Sequence, residues 1–288
     1  MEEKKRSAGA VLAALGKALC YLLLFLLCQA LAAVVFLLAA VLWLSLTGLP
    51  GADLPSLLAR ASALILAQTG LIALVSDLAV LVVLTVFFLC RKKNPLREVG
   101  LVRTDPRCVG AACAAAPLLY ALVTLVLALL PEAWLNSYAE AAAALDQNDL
   151  WTVLATVILA PVTEEVIFRG LIFSRLERAM PGWLAAVLSA LAFGVCHGQP
   201  VWMAYAFLLG LVFAWFRLRT GSILPSLLAH LVFNGISPLS GALSKAGAGD
   251  GWILLGLAAV GIIACFLFRR GFAAMGRRTR SAGGSGLP

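Results

Sequence analysis

Long uncharged apolar runs constrain the fold of this chain more than any other feature. The segment from Cys20 to Leu46 contains no charged side chain, and several later segments are nearly as apolar. A membrane-spanning helix needs about 20 mostly apolar residues to cross a hydrocarbon core of about 30 Å. The chain is 62% hydrophobic and only 12% charged, whereas soluble domains are about one quarter charged. The sequence therefore predicts a polytopic membrane protein.

Eight segments meet this requirement of length and hydropathy, which predicts an all-α polytopic membrane protein with about eight transmembrane helices in one bundle. The predicted spans are 19–46, 62–90, 109–130, 150–173, 183–198, 201–216, 222–240 and 252–268. Residues 1–18 are predicted to be a cytoplasmic N-terminal segment, 19–270 the transmembrane bundle and 271–288 a flexible basic C-terminal tail. The sequence shows no internal repeat, which argues against an inverted-repeat transporter.

Positive charge is concentrated in a few connections. The connection 91–107 carries six Lys/Arg, whereas 131–149 carries none and is acidic. Further basic residues follow the fourth, sixth and last predicted spans. With eight helices and both termini cytoplasmic, all of these segments lie on the cytoplasmic side, as the positive-inside rule requires. The net charge of +8 is therefore a topological signal, so no nucleic-acid partner is expected. The predicted location is integral membrane, in a bacterial cell membrane.

A small set of ionisable side chains lies inside the predicted spans: Asp77, Glu164, Glu165, Arg169, His197 and His230. Each is energetically costly in a bilayer, which makes a functional site the default hypothesis. Glu165 and Arg169 are four residues apart and can form an ion pair on one helix face. Glu164 lies about 100° around the helix from Glu165 and has no such local partner. It is therefore the carboxylate that points more strongly to a functional site.

Two further polar motifs lie on later spans. In "AFGVCH", Phe193 precedes His197 by four residues, and Gly194 is small enough for a close helix contact. In "LAHLVFNG", His230 and Asn234 are also four apart, so an imidazole and a carboxamide project from one face. Either motif alone is more often a packing or hydrogen-bonding feature. If they converge with a carboxylate, they supply a general base, a water-orienting group and oxyanion donors for hydrolysis.

The segments "EEVIFR", "FGVCH" and "HLVFN" resemble the EExxxR, FxxxH and HxxxN motifs of the CPBP family of intramembrane proteases. That family includes the type II CAAX prenyl endopeptidases and bacterial Abi and bacteriocin-processing or self-immunity proteins. The resemblance covers about residues 150–240 and keeps the order of the family's motifs. It implies that Glu164 is the catalytic carboxylate, that His197 positions the attacking water, and that His230 and Asn234 stabilise the oxyanion. The supporting residues would be Glu165, Arg169 and Phe193.

The resemblance leaves the need for a metal open. Glu164, His197 and His230 could supply three ligands, and catalytic zinc usually takes three protein ligands and a water. No HExxH pair is present, however, and ligation would remove Glu164 as the general base. A metal-free glutamate mechanism is therefore favoured over a zinc-dependent version of the same protease.

The leading hypothesis is an intramembrane endopeptidase that hydrolyses a peptide bond of a membrane-associated or prenylated, CAAX-type protein or peptide. Its partners would be the lipid bilayer and this protein or peptide substrate. A non-catalytic membrane immunity or scaffold protein is the alternative, although a binder has no need of a general base. A transporter or proton relay is disfavoured because paired broken helices are absent from the sequence.

Two further expectations concern the depth of the site in the bilayer and the role of Asp77. Helix rise places Glu164 and His230 about 12–14 Å from the cytoplasmic side, so the site is expected to be approached more easily from there. Asp77 lies outside the motifs and is expected to cap a helix, pair with another group or line a cavity.

Overall fold

The computed structural model describes residues 7–47, 53–145 and 149–281, and within these ranges it contains helices and no strand. The first helices are α1 Ala8–Leu46, α2 Leu54–Ala67, α3 Thr69–Cys90, α4 Pro95–Glu98, α5 Pro106–Ala128 and α6 Glu132–Leu145. They are followed by α7 Leu150–Glu177, α8 Gly182–Val195, α9 Pro200–Thr220, α10 Leu224–Lys245, α11 Asp250–Leu267 and α12 Arg269–Ser281. The predicted all-α polytopic fold class is confirmed.

Among the described helices, seven are long and apolar enough to cross a membrane: α1, α3, α5, α7, α9, α10 and α11. The predicted span 183–198 differs, because α8 has only 14 residues. At 1.5 Å per residue it is about 21 Å long, short of a core of about 30 Å. It packs along α9, to which the turn at 196–199 joins it. One of the eight predicted spans is therefore a short helix that packs on one face against α9 and is exposed on the other.

The second predicted span, 62–90, is divided between α2 and α3. The break falls at Gln68, whose φ of −116° and ψ of 18° lie outside the helical range. Just beyond it, Gly70 lies so close to Thr152 of α7 that any side chain at that position would collide with the Thr152 backbone. This close contact fixes the start of α3 against α7.

Both ends of the chain are more helical than predicted. α1 begins at Ala8, inside the segment expected to precede the bundle, because the Ser7 side chain accepts a hydrogen bond from the Ala10 N–H at 3.3 Å and caps the helix. α12 makes residues 271–281 helical where a flexible tail was expected, and Gly271 in it lies against the Arg107 carbonyl. The rest of that tail, 282–288, lies outside the described residues.

The basic connections meet at one end of the bundle. Glu98 forms ion pairs with Lys93 and Arg175, each at 3.1 Å. Partial burial acts to raise the pKa of Glu98, but these two cations together hold it below its ordinary value. The Ser222 hydroxyl donates to the Val102 carbonyl at 2.7 Å, which joins the connections after α4 and α9. We call this region, with the starts of α1 and α12, the basic end.

α7 is the central helix, contacting α1, α3, α8, α9 and α10. The connection after α4 closes over it at the basic end, where Val99 is only 7% exposed and joins the core around Ile167 and Phe168. Gly170 makes this contact possible, because a Cβ there would lie 2.7 Å from the Val99 carbonyl oxygen. The middle of α7 is therefore covered from the basic end by packed chain.

Candidate active site

The backbone of α7 is irregular on both sides of the two adjacent glutamates. Leu154–Leu159 and Glu165–Ile172 are π-helical, and the short α-helical stretch Ala160–Glu164 separates them. Pro161 in this stretch has no N–H and its ring crowds the carbonyl four residues earlier, which disfavours a regular α-helical ladder. Wide turns of this kind are rare and occur frequently at functional sites.

The predicted pair of Glu165 and Arg169 is formed and fully buried. Arg169 Nη1 lies 2.9 Å from Glu165 Oε1, and both side chains are 0% exposed. Arg169 Nη2 also donates to the Gly210 carbonyl at 3.2 Å. The guanidinium carbon lies 4.2 Å from the centre of the Phe193 ring and 5.3 Å from that of Phe213, within range of cation–π attraction. These contacts offset part of the cost of burying the charge and hold the Glu165 carboxylate in place.

His230 lies between the two glutamates. Its Nδ1 is 3.3 Å from Glu165 Oε1, and its Nε2 is 3.6 Å from Glu164 Oε2. The imidazole stacks on Phe213 with ring centres 4.8 Å apart. Arg169, Glu165, His230 and Glu164 therefore form a continuous row of charged or polar groups that joins α7 to α10. Glu164, which has no partner on its own helix turn, finds one on a distant helix.

The two glutamates differ in accessibility. The Glu164 side chain retains 18% of its exposure, whereas Glu165 has none. A carboxylate that neutralises a buried arginine is not free for other chemistry, while one that is partly exposed can be reached by water. The geometry therefore separates a structural carboxylate, Glu165, from an accessible one, Glu164.

His197 lies in the turn that follows α8. Its Nδ1 is 2.8 Å from the Phe193 carbonyl oxygen. A carbonyl can only accept a hydrogen bond, so Nδ1 is the donor and Nε2 of the neutral ring keeps a lone pair. The Phe193 ring contacts both imidazoles, with centres 4.8 Å from His197 and 5.9 Å from His230. Phe193 thus holds His197 in place through its carbonyl and links it to the row through its ring.

The predicted role of Gly194 in helix contact is supported by the geometry. A Cβ at this position would lie 2.8 Å from the Met203 carbonyl oxygen of α9. The missing side chain lets α8 approach α9 closely beside Phe193 and His197, as small residues commonly do between membrane helices.

Asn234 lies farther along α10, away from the row. Its side-chain amide donates to the Thr156 carbonyl at 2.9 Å, within the first π-helical stretch. Asn234 lines a cavity of about 720 Å³ together with Tyr120, Tyr205, Phe233 and hydroxyl groups of α5 and α7. One amide hydrogen is used by Thr156, and the other remains available to a group in the cavity.

Parts of five helices form this cavity. It is lined by the later parts of α5 and α10, the early parts of α7 and α9, and α6. All of these lie in the half of the bundle remote from the basic end. The approach to Glu164 from the cytoplasmic side stays a prediction; on that side Val99 packs into the core beside Gly170.

The structure brings some of the predicted site residues into contact and leaves others apart. Glu164, Glu165, Arg169 and His230 are in direct contact, Phe193 joins His197 to them, and Asn234 is hydrogen-bonded elsewhere. Within 7–47, 53–145 and 149–281, no three His, Cys, Asp or Glu side chains are grouped so that they could hold a metal ion. The set Glu164, His197 and His230 therefore does not fit a three-ligand zinc site in this arrangement.

Some contributing residues were not predicted from the sequence. Gly210 and Phe213 lie three apart on α9 and hold Arg169, and a Cβ at Gly210 would lie 3.2 Å from Arg169 Nη2. Gly210 interrupts the apolar run "FLLGLVF", and a small residue there is a usable signal for a close helix contact. Asp77 is buried in α3, which contacts the α7 stretch holding Glu164, and its role remains a prediction.

The fold and this site define a polytopic α-helical membrane protein with a buried row of carboxylates and imidazole. Residues 146–236 match the family model of the type II CAAX prenyl endopeptidase Rce1-like proteins. This match confirms, for that segment, the resemblance indicated by the three motifs.

Two curated relatives are similar over part of the chain. An "Uncharacterized 24.3 kDa protein" of Escherichia coli is 34% identical over 95 residues, which are 31% of this chain and 44% of the relative. The "Putative membrane peptidase YdiL" of Bacillus subtilis (strain 168) is 30% identical over 82 residues, 28% of this chain and 34% of the relative. The chain thus covers less than half the length of each relative. No solved structure matches it significantly.

Proposed function

We propose that this protein is an intramembrane endopeptidase that hydrolyses a peptide bond of a membrane-associated or prenylated, CAAX-type protein or peptide. One observation carries the proposal: of two adjacent glutamates on the central helix, only Glu164 is accessible, at 18% exposure, and it lies beside His230. A scaffold would require the buried Glu165–Arg169 pair but not a second carboxylate. The family match over 146–236 supports a peptidase.

In the proposed reaction, Glu164 accepts a proton from a water molecule as the water oxygen attacks the scissile carbonyl carbon. The lone pair of His197 Nε2 accepts a hydrogen bond from the same water and orients it, because Nδ1 is fixed on the Phe193 carbonyl. Glu164 then gives its proton to the leaving amine as the carbon–nitrogen bond breaks. Glu164 is returned to its starting state, and the products are a carboxylic acid and an amine.

The tetrahedral oxyanion requires donors, and His230 and Asn234 are proposed for this role. His230 Nε2 lies 3.6 Å from Glu164, longer than a good hydrogen bond, so it can turn toward a substrate oxygen. Asn234 keeps one amide hydrogen free of Thr156. In this role His230 acts as the imidazolium, in which both ring nitrogens carry a hydrogen: Nδ1–H faces Glu165 and orients the ring, and Nε2–H is the oxyanion donor.

The proposed reaction uses no metal ion, because the described side chains do not offer a three-ligand group at Glu164. Cleavage by protein dialysed against a chelator is expected to remain within about twofold of the untreated protein. The measurement is peptide cleavage alongside the zinc content of the same sample. Loss of cleavage that is restored by added zinc would contradict this mechanism and favour the zinc-dependent version.

Orientation and location are proposed from the charge distribution. The basic segments meet at one end of the bundle, and the positive-inside rule assigns that end to the cytoplasm of a bacterial cell. Both described ends of the chain, at α1 and α12, would then be cytoplasmic. Because the cavity at Asn234 lies in the opposite half, the substrate segment is proposed to reach it from within the bilayer.

The proposed activity is tested by comparing peptide termini in cells that express wild type, Glu164→Gln or Glu98→Gln. New termini from membrane-associated proteins are expected with wild type and with Glu98→Gln, which removes a carboxylate far from the site. They are expected to be absent with Glu164→Gln. Identical termini in all three strains, at equal protein levels, would contradict the proposal and favour the non-catalytic scaffold.

A further inference from the structure

A second cavity, of about 560 Å³, lies at the basic end, away from the candidate active site. We call it the basic-end cavity. Three parts of the chain form its wall: the first turns of α1, the end of α3 with the connection that follows, and the end of α7 with the connection to α8. Its volume falls in the range of about 300–1,000 Å³ that is typical of small-ligand sites.

The charged residues that line this cavity are all positive. Five cationic side chains line it, namely Lys17, Arg91, Lys93, Arg175 and Arg178, and no acidic residue is among the lining residues that the structure describes. Glu98 pairs with Lys93 and Arg175 from outside the lining. Within the described part of the chain, one paired carboxylate against five lining cations leaves a positive excess. Such an arrangement is stabilised by an anion that enters the cavity.

The cations are not simply directed into water. The Arg175 side chain is only 11% exposed, and its guanidinium carbon lies 5.9 Å from the centre of the Tyr21 ring. Arg91 similarly lies 5.5 Å from the ring of Phe87. Aromatic surfaces and the ion pairs with Glu98 hold two of the guanidinium groups in position. Arg is well suited to phosphate because its planar donors can bind two oxygens at once.

The rest of the wall is apolar and continues toward the lipid-facing surface. Ala10, Ala13 and Ala14 line it on one side of α1, and Phe87 and Phe88 line it on α3. Because the alanine side chains are small, an opening remains between α1 and α3. Phe87, on the outer face of α3, is 44% exposed. A ligand that fits both surfaces therefore combines an anionic group with an apolar chain.

We propose that the basic-end cavity binds the phosphate of an anionic membrane phospholipid, whose acyl chains lie along the outer faces of α1 and α3. Lys17, Arg91, Arg175 and Arg178 contact the phosphate. The lipid joins α1 to the end of α7, which makes it a structural ligand. The site is independent of the proposed peptidase activity, because none of its residues belongs to the row around Glu164.

The test measures lipid binding by native mass spectrometry of purified full-length protein, titrated with phosphatidylglycerol, phosphatidylcholine or inorganic phosphate. Phosphatidylglycerol is expected to bind at least about tenfold more tightly than phosphatidylcholine, since each nearby basic residue contributes about fivefold. The Lys17→Gln/Arg178→Gln variant removes two such residues and is therefore expected to lose most of this preference, up to about 25-fold. Both residues are exposed, so the variant is expected to keep the fold.

The matched control is Arg97→Gln/Arg103→Gln, which removes the same charge from exposed positions of the basic end outside the cavity. It is expected to keep the preference for phosphatidylglycerol. If the control variant lost the preference for phosphatidylglycerol to the same extent, the proposed site would be overturned, because diffuse attraction of the whole basic end would explain the binding. Saturable binding of inorganic phosphate with no preference between the two lipids would also overturn it, in favour of a soluble anion.

Discussion

The Glu164→Gln variant is expected to cleave peptide substrate with a kcat reduced by about 10²–10⁴-fold, the usual contribution of a general base. Glutamine has nearly the same shape as glutamate but cannot accept the proton of the attacking water. Because Glu164 is partly exposed and is not the partner of Arg169, its replacement leaves no buried charge unpaired. The unfolding midpoint is therefore expected to stay close to that of wild type. Cleavage kinetics and thermal unfolding in the same detergent measure the two quantities.

The adjacent Glu165→Gln variant separates a catalytic role from a structural one. It removes the buried partner of Arg169 and the acceptor beside His230 Nδ1, so both stability and kcat are expected to fall. Glu164→Gln should affect only kcat. Wild-type cleavage by Glu164→Gln would rule out Glu164 as the base. If Glu165→Gln instead lost activity with unchanged stability, the roles of the two glutamates would be exchanged.

The features of the site that the sequence predicted are those determined by neighbours on one helix. Glu165 and Arg169 are four apart, and their contact follows from helix geometry alone. The placement of His197 beside Phe193, four residues earlier, is also local. Seven of the eight predicted spans correspond to described helices long enough to cross a membrane, because span length depends on composition and bilayer thickness.

The rest of the site depends on contacts between helices, which a single sequence does not specify. His230 lies between Glu164 and Glu165 only because α10 packs against α7 at one register. Asn234 shares a helix face with His230, yet the irregular α7 backbone offers it the Thr156 carbonyl. Likewise, a run long enough to suggest a span became the short α8, because the chain turns at Gly198, whose φ is +71°.

The position of the accessible cavity is another such tertiary feature. The depth of Glu164 in the bilayer, which follows from helix rise, stays a prediction, and depth alone does not show which side is open. The connection after α4 packs Val99 into the core beside α7. Its apolar residues, Val99 and Leu101, lie within an otherwise basic segment, and their burial could be recognised only in the folded chain.

Removal of the guanidinium in Arg169→Met is expected to lower the free energy of unfolding by about 3–5 kcal/mol, the usual cost of leaving one partner of a buried ion pair alone. Methionine occupies part of the space between Phe193 and Phe213, so the loss reflects charge more than volume. Glu165 would remain 0% exposed, with His230 as its remaining neighbour among the groups of the row. Equilibrium unfolding in mixed micelles measures the change.

The double variant Glu165→Gln/Arg169→Met tests whether this cost arises from the unpaired carboxylate. It removes the charge as well as its partner, so it is expected to be more stable than Arg169→Met alone. Lys93→Met is the matched control: its side chain is 49% exposed and also pairs with a glutamate, Glu98. A change under about 1 kcal/mol is expected there, because solvent screens an exposed pair.

Equal losses of stability in Arg169→Met and Lys93→Met would show that burial does not set the strength of the α7 pair. The distinction between a structural Glu165 and an accessible Glu164 would then lose its energetic basis.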